Sequence, residues 1–274
     1  MTQQLGVMLF KIAFWFYLAA SICYVGYLAR QGRRIGAVGM VALAAGLALH
    51  TCSLAVLTVV TGRPPFLNLY EYMLSFTWGA MLVYVVVELS TRNRALGSFG
   101  VPLVTAFALL TYRLPTRIDE NVLPALRSAW RVPHIASGIL AYAAFGLAFV
   151  LAAMYLLRER SERNKRSFWA TRLPPLKVLD QAIYRVVAFG FLMQTALVVV
   201  GAVWAQYAWG RYWGWDPKET WSLITWLIYA AYLHTRTTMG WRGKKSAIVS
   251  IVGFAATVFT LFGVTYLLRG LHSY

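Results

Sequence analysis

Eight apolar runs divide this chain, near residues 10–29, 36–61, 68–90, 97–112, 134–157, 181–203, 219–235 and 246–268. A helix that crosses the hydrocarbon core of a bilayer needs about 20 such residues. Within lipid only a helix or a closed barrel satisfies its own backbone hydrogen bonds. The runs predict an all-α integral membrane protein of about eight transmembrane helices, organised as a single polytopic membrane domain over 1–274. Charged residues make up 13% of the chain, where a soluble domain carries roughly 25%.

Charge sets the expected orientation. Of the 26 Lys and Arg residues, 16 fall in the connections after the first, third, fifth and seventh runs: Arg30 to Arg34, Arg92 and Arg94, the stretch 158–180, and Arg236 to Lys245. The positive-inside rule puts these in the cytoplasm and both termini outside. The net charge of +17 is thus topology information, and it points to anionic lipid headgroups rather than nucleic acid. The N-terminus has no basic leader and no clear cleavage site, so the first run reads as a retained span. Cys23 and Cys52 lie in separate runs with no C-x-x-C, which suggests neither a redox pair nor covalent haem attachment.

Two connections exceed a tight turn. The external loop 113–133 has prolines and mixed charges that predict a short helix along the interface; the other is the basic cytoplasmic loop 158–180. Capping chemistry marks two helix starts, Asn68 to Glu71 and Asp216 to Glu219, the second with Pro217 at its first helical position.

Six of the eleven tryptophans lie within 204–226, predicted as an external Trp-rich loop between helices six and seven. Trp209, Trp213, Trp215 and Trp221 offer aromatic surface, and Gly210 and Gly214 would let backbone approach a flat ligand. His134, at the outer start of the fifth helix, and His272, just beyond the eighth, fall on the same face. Two imidazoles on opposite sides of a haem iron form a stable low-spin site. Either histidine alone reads as a hydrogen-bonded interface residue; with the Trp- and Gly-rich loop they point to haem or another flat ligand. His50 and His234 lie inside spans, about 18 and 22 Å from the outer ends at 1.5 Å per residue. They could face each other across one haem, or each could be satisfied by a hydrogen bond. Arg131, Arg211, Lys218 and the outward N-terminus of the seventh helix are candidates to hold haem propionates.

The run Trp-Gly-Arg-Tyr-Trp-Gly-Trp-Asp-Pro-Lys-Glu-Thr-Trp at 209–221 resembles the WWD signature of the CcsA/ResC cytochrome c assembly proteins. So do Tyr-Leu-His-Thr-Arg at 232–236, Pro-x-x-Asn-Leu-Tyr-Glu at 65–71, Val-Pro-His at 132–134 and Gly-Leu-His-Ser-Tyr at 270–274. The resemblance spans most of residues 50–274 in order. It implies a haem exporter that is also the haem-presenting half of a holocytochrome c synthase, working with a CcsB/ResB-type partner. Haem b would pass from the cytoplasmic side to an external WWD site, for thioether attachment to the CXXCH thiols of apocytochrome c. Thiol-reducing proteins would keep those thiols reduced. By the same resemblance His134 and His272 are the external axial ligands. The segment from Trp209 through Gly210, Arg211, Trp213, Gly214, Trp215 and Asp216 to Trp221 holds the haem between them. His234 matches the family's intramembrane histidine. His50 is either its opposing ligand or a bystander, the partner then supplying that ligand. The expected location is a bacterial cytoplasmic membrane, with the site on the periplasmic face. A b-type haem electron-transfer subunit is the alternative, but it would need its histidine pairs within the spans. A cofactor-free transporter should show repeat symmetry or matched broken helices, and neither is evident.

Overall fold

A computed structural model describes residues 2–116, 128–162, 167–268 and 270. Every regular element among them is helical, in two compact units, Met1–Val122 and Leu123–Tyr274. Among the described residues, seven helices are long and apolar enough to cross a membrane. The remaining predicted span, 219–235, is also a helix of 22 residues, Pro217–Thr238, but is more polar than those seven.

The first unit comprises α1 (Gln3–Arg30), α2 (Arg33–Thr61), α3 (Leu69–Thr91) and α4 (Gly97–Arg113), with a 3-10 turn at Arg94–Leu96. The α1–α2 pair is built on a seam of alternating three- and four-residue steps. On α2 the buried positions are Gly36, Gly39, Leu43, Gly46, His50, Ser53 and Leu57, and on α1 they include Gly6, Phe10, Ala13, Tyr17, Ala20 and Tyr24. That spacing keeps one stripe of each helix against the other. Lipid supplies no hydrophobic drive between helices, so close packing of small against large residues holds such pairs together. A Cβ on Gly46 would stand 2.9 Å from the Tyr17 ring, and one on Gly6 2.7 Å from Leu57.

At one end of this unit Glu71, 1% exposed, accepts two hydrogen bonds from the Arg63 guanidinium at 2.7 and 3.0 Å, and one from the Leu67 N–H at 2.8 Å. Asn68 caps α3 as predicted, its side chain accepting from the Glu71 N–H. Removing one member of a buried ion pair leaves its partner's charge uncompensated, at a cost of about 3 kcal/mol. Glu71→Ala is therefore expected to lower the thermal unfolding midpoint of the detergent-purified protein by several degrees. An unchanged midpoint would show that the pair adds nothing.

In the second unit α5 (Arg131–Ser161) is the central helix, packed by α7 (Leu176–Trp209) and α9 (Lys244–Val258), with the five-residue α6 (Phe168–Arg172) beside it. The helix α8 (Pro217–Thr238) packs on α7 and α9. A π-helical segment, Phe259–Gly263, joins α9 to a last turn, α10 (Val264–Leu267). At one end of α8, Arg236 donates to both carboxylate oxygens of Asp180 on α7, at 2.9 and 2.7 Å. Asp180 also accepts from the Gly243 N–H ahead of α9, at 2.7 Å.

The helices run further than hydropathy alone predicts. Of the basic stretch 158–180, Arg158 and Arg160 form the last turn of α5, where positive charge complements the helix dipole. Lys177 and Asp180 already belong to α7. The surface helix expected within 113–133 falls chiefly on 117–127, outside the described residues.

Candidate functional site

The end of the second unit where α5 begins and α7 finishes gathers most of the predicted site. His134 sits in the first turn of α5 and presses its imidazole against α7. Its Nδ1 lies 3.0 Å from the carbonyl oxygen of Leu197. A carbonyl can only accept, so Nδ1 carries the proton and the ring's lone pair is on Nε2. Histidines that ligate metals are commonly oriented in this way, by a backbone acceptor on the other nitrogen. Room for the ring comes from Gly201, one turn on from Leu197: a Cβ there would be 2.8 Å from both Cε1 and Nδ1 of His134. Trp204, one turn further, meets the imidazole at 5.3 Å between centroids, and Trp209 meets Trp204 at 5.8 Å.

The tryptophan segment is not one loop, as its sequence suggested. Trp204 and Trp209 belong to α7, and Trp221 and Trp226 to α8. Only 210–216 leaves the helices. Gly210, at φ +72°, ends α7 in the left-handed conformation that glycine adopts without steric cost. Its role is that of a cap. Gly214 faces Arg211, whose guanidinium would lie 2.7 to 2.9 Å from a Cβ at that position.

Between them and α8 stands Trp215, in left-handed backbone at φ +57° with its side chain 69% exposed. A bulky residue in that region carries a strain of about 1 kcal/mol. Glu219 holds it there. One carboxylate oxygen, Oε2, accepts from the N–H of Gly214 at 2.8 Å and from the N–H of Asp216 at 3.2 Å, the residues on either side of Trp215. The Trp215 carbonyl in turn accepts from the Thr220 hydroxyl at 3.4 Å. Asp216 completes the predicted capping box, accepting from the Lys218 N–H at 3.1 Å, and is 6% exposed. Its carboxylate is thus committed to the fold. Burial lowers the pKa of the Lys218 ammonium, with Asp216 nearby acting in the opposite sense. A cation so placed gains from an anionic neighbour. Trp213 meets Trp215 edge-on at 5.8 Å, and Trp221 packs on Phe259 at 4.2 Å.

The remaining histidines differ sharply. His272 lies outside the described residues; the chain is described up to Leu268 and again at Gly270. His234 is exposed on α8, with Thr238 Oγ1 3.5 Å from its Nδ1. His50 belongs to the other unit and has no exposed surface. It is a seam residue of α2, 3.1 Å from the Tyr17 hydroxyl and 4.9 Å from Phe10 between ring centroids. Leu197, Gly201 and the double role of Glu219 went unread in the sequence, because each acts through a partner that only folding brings near. A glycine on the apolar face of α7, one turn from Trp204, was the available signal.

Comparison with known proteins finds relatives over most of the chain. A family described as Cytochrome C assembly protein matches residues 66–272. The chain is 34% identical to the cytochrome c biogenesis protein CcsA of Pyropia yezoensis, over 98% of this chain and 94% of the relative. It is 36% identical to CcsA of Parasynechococcus marenigrum, covering 88% and 87%, and 35% to CcsA of Microcystis aeruginosa, covering 78% and 80%. Among solved structures it is similar in fold to the cytochrome c heme lyase CcmF, with a TM-score of 0.70 at 18% identity over 96% of this chain. It spans about half of that larger protein, 47%. By the reach of the family match and the identity to whole relatives, this chain belongs to the cytochrome c assembly protein family, in its CcsA branch.

Proposed function

We propose that this protein carries haem b from the cytoplasmic side of the membrane to an external site at the His134 end of the second unit, and presents it there to apocytochrome c. The observation that carries the reading is the Nδ1–H bond from His134 to the Leu197 carbonyl. It directs the lone pair to Nε2, on a ring flanked by Trp204 and Trp209. His272 is the second axial ligand. Trp213, Trp215 and Trp221 supply aromatic surface around the porphyrin, and Arg131, Arg211 and Lys218 pair with the propionates. Asp216, Gly210 and Gly214 shape the turn that carries these groups.

The bond-making step adds an apocytochrome thiol across a haem vinyl group. Sulfur bonds to the vinyl carbon next to the ring and the thiol hydrogen ends on the terminal carbon, with no net change of oxidation state. This chain need supply no acid–base pair for that addition. Its residues hold the iron and orient the ring so that the vinyl edge faces the substrate thiols. The substrate's own CXXCH histidine then displaces one protein ligand. A CcsB/ResB-type partner shares the work, and thiol-reducing proteins maintain the substrate. At the level of the membrane, His234 is the entry ligand, exposed on α8 where a partner can supply the opposing one. The packing of His50 against Phe10 and Tyr17 favours the bystander role for that residue.

Optical spectra of the purified protein test the external site. Wild type is expected to show low-spin b-type haem, and His134→Ala and His272→Ala each to lose that signature. If both variants keep wild-type haem content and spectrum, the ligand assignment is wrong. Reduction by quinol at catalytic rates would instead favour an electron-transfer subunit.

A further inference from the structure

One turn of α7, from Gln194 to Leu197, serves both of its neighbours. On the α5 side the Leu197 carbonyl accepts the His134 Nδ1–H at 3.0 Å. The Leu197 side chain lies over Gly138 of α5, where a Cβ would stand 3.1 Å from its Cδ1. Toward α8 the turn makes two bonds in opposite directions. Gln194 Nε2 donates to the Ser222 carbonyl at 3.2 Å, and Trp226 Nε1 donates to the Thr195 hydroxyl at 2.9 Å. That hydroxyl itself donates to the Phe191 carbonyl at 2.8 Å, which leaves its lone pairs for the indole. Ser222 stands three residues past Glu219, whose carboxylate brackets Trp215.

Stability alone does not call for an amide at 194. Gln194 has no exposed surface, and among the described residues its Oε1 meets no hydrogen-bond donor. A buried acceptor left without a donor costs more than one ordinary hydrogen bond returns. An apolar side chain of like size would fill the place, and the Ser222 carbonyl, inside α8, would keep its helical bond. What the amide adds is direction. Apolar contact between helices is non-directional and does not resist a slide along the axis, and lipid supplies no drive to correct one. A bond to one particular backbone carbonyl fixes the register of α7 on α8. The Trp226–Thr195 bond repeats the constraint one turn further along α8.

We propose that Gln194, seconded by Thr195, is the positioning residue that fixes where the His134 imidazole stands relative to the tryptophan turn. The imidazole takes its place from the Leu197 carbonyl, and the turn takes its place from the head of α8. Residues 194–197 tie both to one short stretch of backbone. A slip of α7 against α8 therefore carries the imidazole away from the indoles of the turn by the same amount. This rests on reading His134 as an axial ligand.

The test uses the full-length protein in detergent with Cys23 and Cys52 replaced by serine. Spin labels are attached through Leu140→Cys on α5 and Leu227→Cys on α8, side chains 36% and 52% exposed. The distance between them is read by dipolar electron paramagnetic resonance with haem reduced, and optical spectra are recorded on unlabelled protein. Gln194→Met and Thr195→Val are each expected to broaden or displace the distance distribution and to lower the low-spin haem fraction several-fold. Thr195→Ser, which keeps the hydroxyl, should match wild type in both. The thermal midpoint of Gln194→Met should hold, because the orphan acceptor leaves together with the bond. An unmoved distribution with a wild-type spectrum in both variants overturns the proposal. So does a low-spin loss that only tracks a falling midpoint, the mark of a merely structural role. A displaced distribution beside a wild-type spectrum overturns it as well, provided His134→Ala alters that spectrum. If His134→Ala leaves the spectrum untouched, the ligand reading itself fails, whatever the distances show.

Discussion

Glu219→Ala is expected to reduce cytochrome c maturation by about a hundredfold, the scale on which a displacement of about 1 Å at a reacting centre acts. The reason lies in the double hydrogen bond that brackets Trp215. With the carboxylate gone, the N–H groups of Gly214 and Asp216 lose their acceptor, and Trp215 at φ +57° keeps only the 3.4 Å bond from the Thr220 hydroxyl. The turn relaxes to an unstrained backbone and the exposed indole swings away. Overall stability should fall far less than function does, because half of one helix cap is worth about 1 kcal/mol. Glu219→Gln keeps an oxygen in place and should retain most activity. Maturation is read as covalent haem on a co-expressed apocytochrome, with membrane abundance and unfolding midpoint as controls. Wild-type maturation in the alanine variant would mean that the bracket is not what positions the turn.

His234→Ala is expected to abolish haem loading at the His134 end when the protein is made in cells. His50→Leu should leave loading near the wild-type level. The contrast follows from where the two side chains lie. His234 is exposed on α8, 15 residues from Glu219, or about 22 Å along the axis. His50 is enclosed by the α1–α2 seam, with Phe10 and Tyr17 against it. Its replacement should show up as lower stability, since the Tyr17 hydroxyl loses a buried partner at a cost of about 1–3 kcal/mol. Haem content of the purified variants decides the matter. Normal loading without His234 would end the two-site route, and loss of loading in a folded His50→Leu protein would restore His50 as a ligand.

Much of the fold was legible because the signals that specify it are local. A run of apolar residues needs no partner to be recognised, and the Asp216–Glu219 cap announces itself within four residues. Helix ends were less visible, since helices here continue through polar turns such as Arg158 to Ser161. The tryptophan stretch was misjudged as one loop for the same reason: α7 carries its helix through Trp204 to Trp209 and stops only where Gly210 turns left-handed. The glycine spacing on α2 was present in the sequence and would have placed His50 on the seam. What no local reading could supply was the acceptor for His134, a backbone carbonyl 63 residues away.

The clamps at the two ends of α8 have a mechanical consequence. The capping box holds its beginning, and the Arg236 ion pair with Asp180 holds its end. Its 22 residues make a rod about 33 Å long. A rod gripped at both tips does not fray, so the turn at Trp215 and the ion pair at Arg236 keep a fixed separation.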